Sequence, residues 1–170
     1  KTEYNENDEK KIFKIIKNEL LNQEVIFFGG YAIYLYSKYM PNNVKKQFNN
    51  VPDFDILSIE PLHCLERVKK LLGKNNYVNV KIVKHKNVDE IISDHYELLV
   101  GDKTIVFAYK PMSCHSYNVI YKNNIKIKVA TIDTMLSFYL AFIYVNRKYY
   151  DKDRILCMAQ FLFQVQQFSI

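Results

Sequence analysis

Residues 8–22 place Ile12, Phe13, Ile15, Ile16, Leu20 and Leu21 along one broad face after an acidic start, and this spacing predicts a helix. A short apolar run, "EVIFF" at 24–28, stops at Gly29-Gly30 and reads as a buried strand. Helical spacing resumes over 31–40 through Tyr31, Ile33, Tyr34 and Tyr36. Residues 41–50 are polar and lysine-bearing, a loop. "DFDILSI" at 53–59 predicts a strand, and 61–74 a helix that starts with Pro61 and stops at Gly73. Beyond it the period falls to two. Residues 78–85 alternate, 95–110 read as two strands joined at Gly101-Asp102, and the segment from 117 repeats that arrangement around Asn123-Asn124. The last forty or so residues return to helical spacing, with Thr131 or Asp133 as a cap and Asp151 opening the final helix. The pattern predicts a single α/β (α+β) domain over 1–170.

Composition changes this picture little. At 170 residues, 49% hydrophobic and 25% charged, the chain can build a sizeable core, and disorder is excluded as the main state. The charge of +6 and pI near 9.0 favour polyanionic partners, although the lysines are dispersed and form no block. Three arginines against many lysines suit phosphate contact better than base readout. Cys64, Cys114 and Cys157 show no zinc-ligand spacing and read as reduced, mostly buried thiols of a cytoplasmic protein. The apolar stretch 134–145 is too short to span a bilayer, so no membrane is expected, and no signal peptide opens the chain. Since Lys1 is not a start methionine, a longer parent with further flanking domains is expected.

The chemistry concentrates at two short stretches. Asp53 and Asp55 stand two apart on a predicted strand, so their carboxylates share a face while Phe54 takes the other. Such a pair repels itself unless a cation lies between, and carboxylates at a strand end suit Mg²⁺ or Mn²⁺. Alone, an Asp-x-Asp is more often a surface acid pair. The preceding Gly29-Gly30 ends a strand and opens a helix, which turns backbone N–H groups and the helix dipole outward toward an anion. A phosphate cradle followed by an acid pair is an arrangement for a nucleoside triphosphate and its metal.

"FFGG" followed by "DFDIL" resembles the signature of the DNA polymerase β nucleotidyltransferase superfamily. "YNVIYKNNIKIKVATIDTMLSFYLAF" and "YYDKDRILCMAQFLF" are similar to the poly(A) polymerases of large cytoplasmic DNA viruses, of poxvirus and giant-virus type. The resemblance spans roughly residues 24–165. It implies the nucleotidyltransferase fold, a mixed sheet flanked by helices, and metal-dependent transfer of AMP from ATP to an RNA 3′ end. The implied location is the host cytoplasm or the virion, with a homodimer or additional polymerase domains as partners. By position, Gly29 and Gly30, followed by Tyr31, would bind the nucleotide, and Asp53 and Asp55 would be catalytic metal ligands. Gly30 stands where many relatives carry Ser. Twenty-two residues separate Gly30 from Asp53, longer than in the family, which marks 41–52 as an insertion.

The family pattern also wants a third carboxylate, and it falls on Val106. A regular hairpin closed by Gly101-Asp102 pairs Glu97 with Val106, which would bring Glu97 to the missing acid's face as a displaced catalytic metal ligand. The alternative is an edge-strand glutamate in a domain that binds RNA or dimerises without catalysing. Transfer to a protein or small molecule is a third reading. His63, His85, His95 and His115 show no metal-ligand spacing.

Overall fold

Asn5 accepts a hydrogen bond from the Asp8 N–H, caps the first helix and sets its acidic first turn against the helix dipole. In the computed structural model, which describes residues 4–39, 42, 53–89, 91–111 and 116–168, that helix is α1 (Glu6–Asn22). It is followed by β1 (Ile26–Phe28), α2 (Gly29–Tyr36), β2 (Phe54–Leu57) and α3 (Pro61–Lys74). Then come β3 (Val80–His85), β4 (His95–Val100), β5 (Lys103–Tyr109), β6 (Tyr117–Lys122), β7 (Ile125–Ala130), α4 (Ile132–Val145) and α5 (Lys152–Phe168). Thr131 caps α4 by accepting from the Thr134 N–H, and Asp151 does the same for α5 from the Arg154 N–H. The expected insertion at 41–52 lies, but for Asn42, outside the described residues, as do Cys114 and His115. Cys64 is buried as expected, whereas Cys157 is exposed.

The strands form one mixed sheet in the order β3-β4-β5-β2-β1-β7-β6. β2 runs antiparallel to β1 and parallel to β5, and β1 runs parallel to β7. One face packs on α1, α2 and α3: Phe13 of α1 stacks on Phe54 at 4.6 Å, and Tyr31 of α2 meets Phe54 edge-on at 5.3 Å. The other face takes α4, whose Phe138 stacks on Phe28 at 4.9 Å, and α5 packs on α4. No helix among the described residues is long and apolar enough to cross a membrane.

One local departure from regular pairing decides which side chains meet. The β4–β5 ladder starts at the turn with Val100 opposite Lys103 and Leu99 opposite Thr104, then skips Ile105. Leu98 therefore faces Val106, and Glu97 faces Phe107. This is a β-bulge, one extra residue on β5. It overturns the expected pairing of Glu97 with Val106.

Candidate active site

Gly29 opens α2 directly from β1 with φ +66°, in the left-handed region that disfavours side chains. The object its backbone approaches is Asp55. A Cβ built on Gly29 would overlap the Asp55 Oδ2 and stand 2.7 Å from its Cγ. The Gly30 N–H donates to the Asp55 carboxylate. The glycine pair is thus shaped around a carboxylate, with the first-turn dipole of α2 pointed at it. Tyr31, the third residue expected at the nucleotide, sends its side chain into the core against Phe27 and Phe54, and burial pushes its hydroxyl up to about 12. Only its backbone is left to meet a ligand.

Asp53 lies one residue before β2, and Asp55 is its second residue. Despite that irregular start the two carboxylates come close enough to affect each other. Burial raises the Asp55 carboxyl well above 3.8 and the Asp53 charge adds to it, against relief from Arg154 and the Gly30 N–H. Asp53 is raised too, first by burial, with Arg154 opposing. Its Oδ1 is buried without a hydrogen-bond partner. The Arg154 Nη2 stands 3.6 Å from that oxygen, an ion pair too long for a hydrogen bond. Two carboxylates that resist ionisation, one with an orphaned oxygen, fit a divalent cation as their missing partner.

Paired residues of neighbouring strands share a face. Asp55 pairs with Phe107, and Phe107 with Glu97, so these three form one row across β2, β5 and β4. Phe54, Val106 and Leu98 form the adjacent row on the opposite face, where all three are fully buried. Val106 is therefore a core residue turned away from the acids. The position beside Asp55 on the neighbouring strand belongs to Phe107.

Glu97 does lie on the acid-bearing face, but two strand spacings from Asp55, roughly 10 Å. Its carboxylate accepts from the Thr104 hydroxyl and from the His85 Nε2 at 3.1 Å. Among the described residues no three of His, Cys, Asp and Glu come together as a metal cluster. His95 donates through Nδ1 to the Ser93 carbonyl at 3.0 Å, and the Tyr149 hydroxyl donates to its Nε2 at 3.0 Å. Burial holds its pKa below 6.5, so the ring is neutral at pH 7.

Sequence reasoning passed over two neighbours of the pair, Arg154 on α5 and Phe107 on β5; a third is Tyr139 on α4. Tyr139 is buried, and after burial itself the Asp55 charge is the largest influence raising its hydroxyl. A signal for Arg154 existed, as one of only three arginines and one that follows a helix-opening Asp151 by three residues.

No protein-family profile and no curated protein matches the chain. Solved structures do. The Megavirus polyadenylate synthase superposes with a TM-score of 0.73 at 13% identity over 99% of this chain and 36% of that one. The antibiotic-resistance factor ANT(2'')-Ia matches in its solution structure with a TM-score of 0.55 at 10% identity, over 96% and 90% of the two chains. A crystal structure of ANT(2'')-Ia in complex with adenylyl-2''-tobramycin gives 0.51 at 11% identity, over 94% of each. This chain thus spans about a third of the viral synthase and nearly all of the resistance factor. The mixed sheet with helices on both faces is the nucleotidyltransferase fold.

Proposed function

We propose that this chain transfers a nucleotide, with ATP as donor and an RNA 3′ end as acceptor. The observation that carries the reading is the buried, unbonded Oδ1 of Asp53 beside a second carboxylate seated on a glycine turn. Asp53 and Asp55 would hold Mg²⁺ or Mn²⁺, which supplies charge neutralisation at the triphosphate and the acceptor oxygen. The acceptor 3′-oxygen forms a bond to the α-phosphorus, the α–β P–O bond breaks, and pyrophosphate leaves. The hydroxyl proton passes to a carboxylate of the same face, for which Glu97 is the candidate. To serve as base or third ligand, Glu97 must give up His85 and Thr104. Arg154, 45% exposed, can turn from Asp53 to a phosphate. The superposition on a polyadenylate synthase supports RNA as acceptor, and the one on an enzyme captured with an adenylylated small molecule supports AMP as the transferred group.

Phe107 favours a second reading. An apolar ring beside Asp55, where a further acid would complete the site, suits a domain that binds nucleotide without turning it over. Incorporation of labelled AMP into oligo(A), with wild type, Asp53→Asn/Asp55→Asn and Glu97→Gln, separates the readings. Transfer abolished by the double change and lowered at least a hundredfold by Glu97→Gln supports the first. A wild type that binds ATP with Mn²⁺ but never incorporates it establishes the second.

A further inference from the structure

The β6–β7 hairpin closes one edge of the sheet and presents two unlike faces. On one, Asn118 donates to the Tyr36 hydroxyl at 3.1 Å, Ile120 and Ile127 are buried, and Lys122 donates to the Tyr34 hydroxyl at 3.0 Å. That face is packed on α2. The other carries Tyr117, Val119 and Tyr121 at alternate positions of β6, with Lys128 opposite Val119 and Lys126 opposite Tyr121. Its apolar members lie open to solvent: Tyr117 is 45%, Val119 41% and Tyr121 68% exposed. The Lys128 ammonium sits 5.4 Å from the centre of the Tyr117 ring.

Register places this stripe on the same side of the sheet as the acid pair. Lys128 pairs with Ile26, Ile26 with Leu57, and Phe28, two residues beyond Ile26, with Asp55. Tyr117, opposite Ala130, therefore lies three strand spacings or roughly 15 Å from Asp55 on that side, with buried Phe28 and Phe138 of α4 packed between them. From Lys103 to Ile132 the chain holds five lysines and no acid. Among the described residues, Glu24 is the acid that lines the small pocket beside Lys126 and Lys128.

We propose that Tyr117, Val119, Tyr121, Lys126 and Lys128 bind single-stranded RNA, the stretch of acceptor a few nucleotides upstream of the reacting 3′ end. The inference rests on the nucleotidyl-transfer reading and names where its acceptor lies. Two exposed tyrosine rings along one strand are stacking platforms that accept any base, and the lysines beside them meet phosphates without reading sequence. Charge complementarity selects a polyanion over a second apolar surface, and unpaired bases are what exposed rings can stack on.

The experiment is fluorescence-anisotropy titration of labelled fifteen-nucleotide oligo(A) and of a blunt RNA duplex, without nucleotide or metal, across a salt series. Tyr117→Ala/Tyr121→Ala is expected to weaken oligo(A) binding at least tenfold while leaving the melting temperature and duplex binding unchanged. Lys126→Gln/Lys128→Gln is expected to lower the slope of log affinity against log salt by roughly 1.4, for two phosphate contacts on a single strand. Wild type and both stripe variants also go through the labelled-AMP incorporation assay: a wild type that binds oligo(A) through the stripe yet never incorporates AMP fails the nucleotidyl-transfer reading and leaves the stripe standing. Unchanged oligo(A) binding in both stripe variants overturns the proposal. So does a tyrosine variant that loses only self-association in sedimentation, since the face would then join two copies of the chain.

Discussion

The rows Phe54–Val106–Leu98 and Asp55–Phe107–Glu97 cross the same three strands one residue apart, on opposite faces. The first is complete in itself. Every member is fully buried, and Phe13 of α1 stacks on its end. The second is not. It alternates acid, ring and acid, and beside Asp55 it leaves the Asp53 Oδ1 in the protein without a hydrogen bond. A core row is stabilised by what surrounds it, at about 25 cal/mol per Å² of apolar surface buried. A row of carboxylates lacks that term, and at the aspartates Arg154 and the Gly30 N–H offset the cost of burial only in part. The two rows divide the labour of the domain: one holds the sheet together, while the other holds unfavourable contacts that a ligand can relieve.

The sharpest way to break the comparison is to place an acid in each row. Val106→Asp sets an uncompensated charge in the apolar row and should cost roughly 3–5 kcal/mol in urea unfolding. Phe107→Asp adds its carboxylate beside Asp55 on the ligand-ready face, should cost less, and should tighten Mn²⁺ binding measured by electron paramagnetic resonance. Equal losses of stability would show that the faces do not differ as described. Next in size, Gly29→Ala meets both a positive φ and the Asp55 carboxylate, and should destabilise by about 2–3 kcal/mol. Adding Asp55→Ala removes the overlap but leaves the backbone strain, so the double variant should recover part of the loss and not all. Full additivity in that cycle would contradict the close approach.

The smallest effect concerns pH. Both aspartates hold their protons above the ordinary 3.8 when folded, so between 3.8 and those raised values the folded chain binds more protons than the unfolded one. The pair's unfavourable contribution is absent below 3.8 and grows as pH rises through the raised values. Asp53→Asn should flatten that decline and raise the melting temperature at neutral pH by a few degrees in the absence of metal. A saturating divalent cation should reverse the order, stabilising wild type above the variant. Calorimetry from pH 4 to 8 in chelator, then in MnCl₂, would expose either failure.

Much of this could be read in the chain. Alternation of side chains located β3 through β7, and the turn pairs Gly101-Asp102 and Asn123-Asn124 each close a hairpin in the structure. The Asp53–Asp55 spacing and the double glycine marked the candidate site, and the structure brings them together, because both depend on neighbours in sequence. What could not be read depends on residues far apart. The skipped Ile105 sits in the apolar run Ile105-Val106-Phe107-Ala108, where an extra residue leaves no trace in hydrophobicity. Nothing local announces that Arg154 reaches Asp53 across 101 positions. Tyr31 carried a helical signal and a place beside the glycines, and packing settled its side chain in the core.

The unpaired residue on β5 also works as an expansion joint. Between the hairpin tip and the residues that face the acids, it takes up one unit of chain length. A tip that grew or shrank by a residue could be accommodated at Ile105 while Phe107 stayed level with Asp55 and Glu97. Without that bulge the ladder would run on unbroken from the turn, and Val106 instead of Phe107 would stand opposite Glu97 on the acid-bearing face.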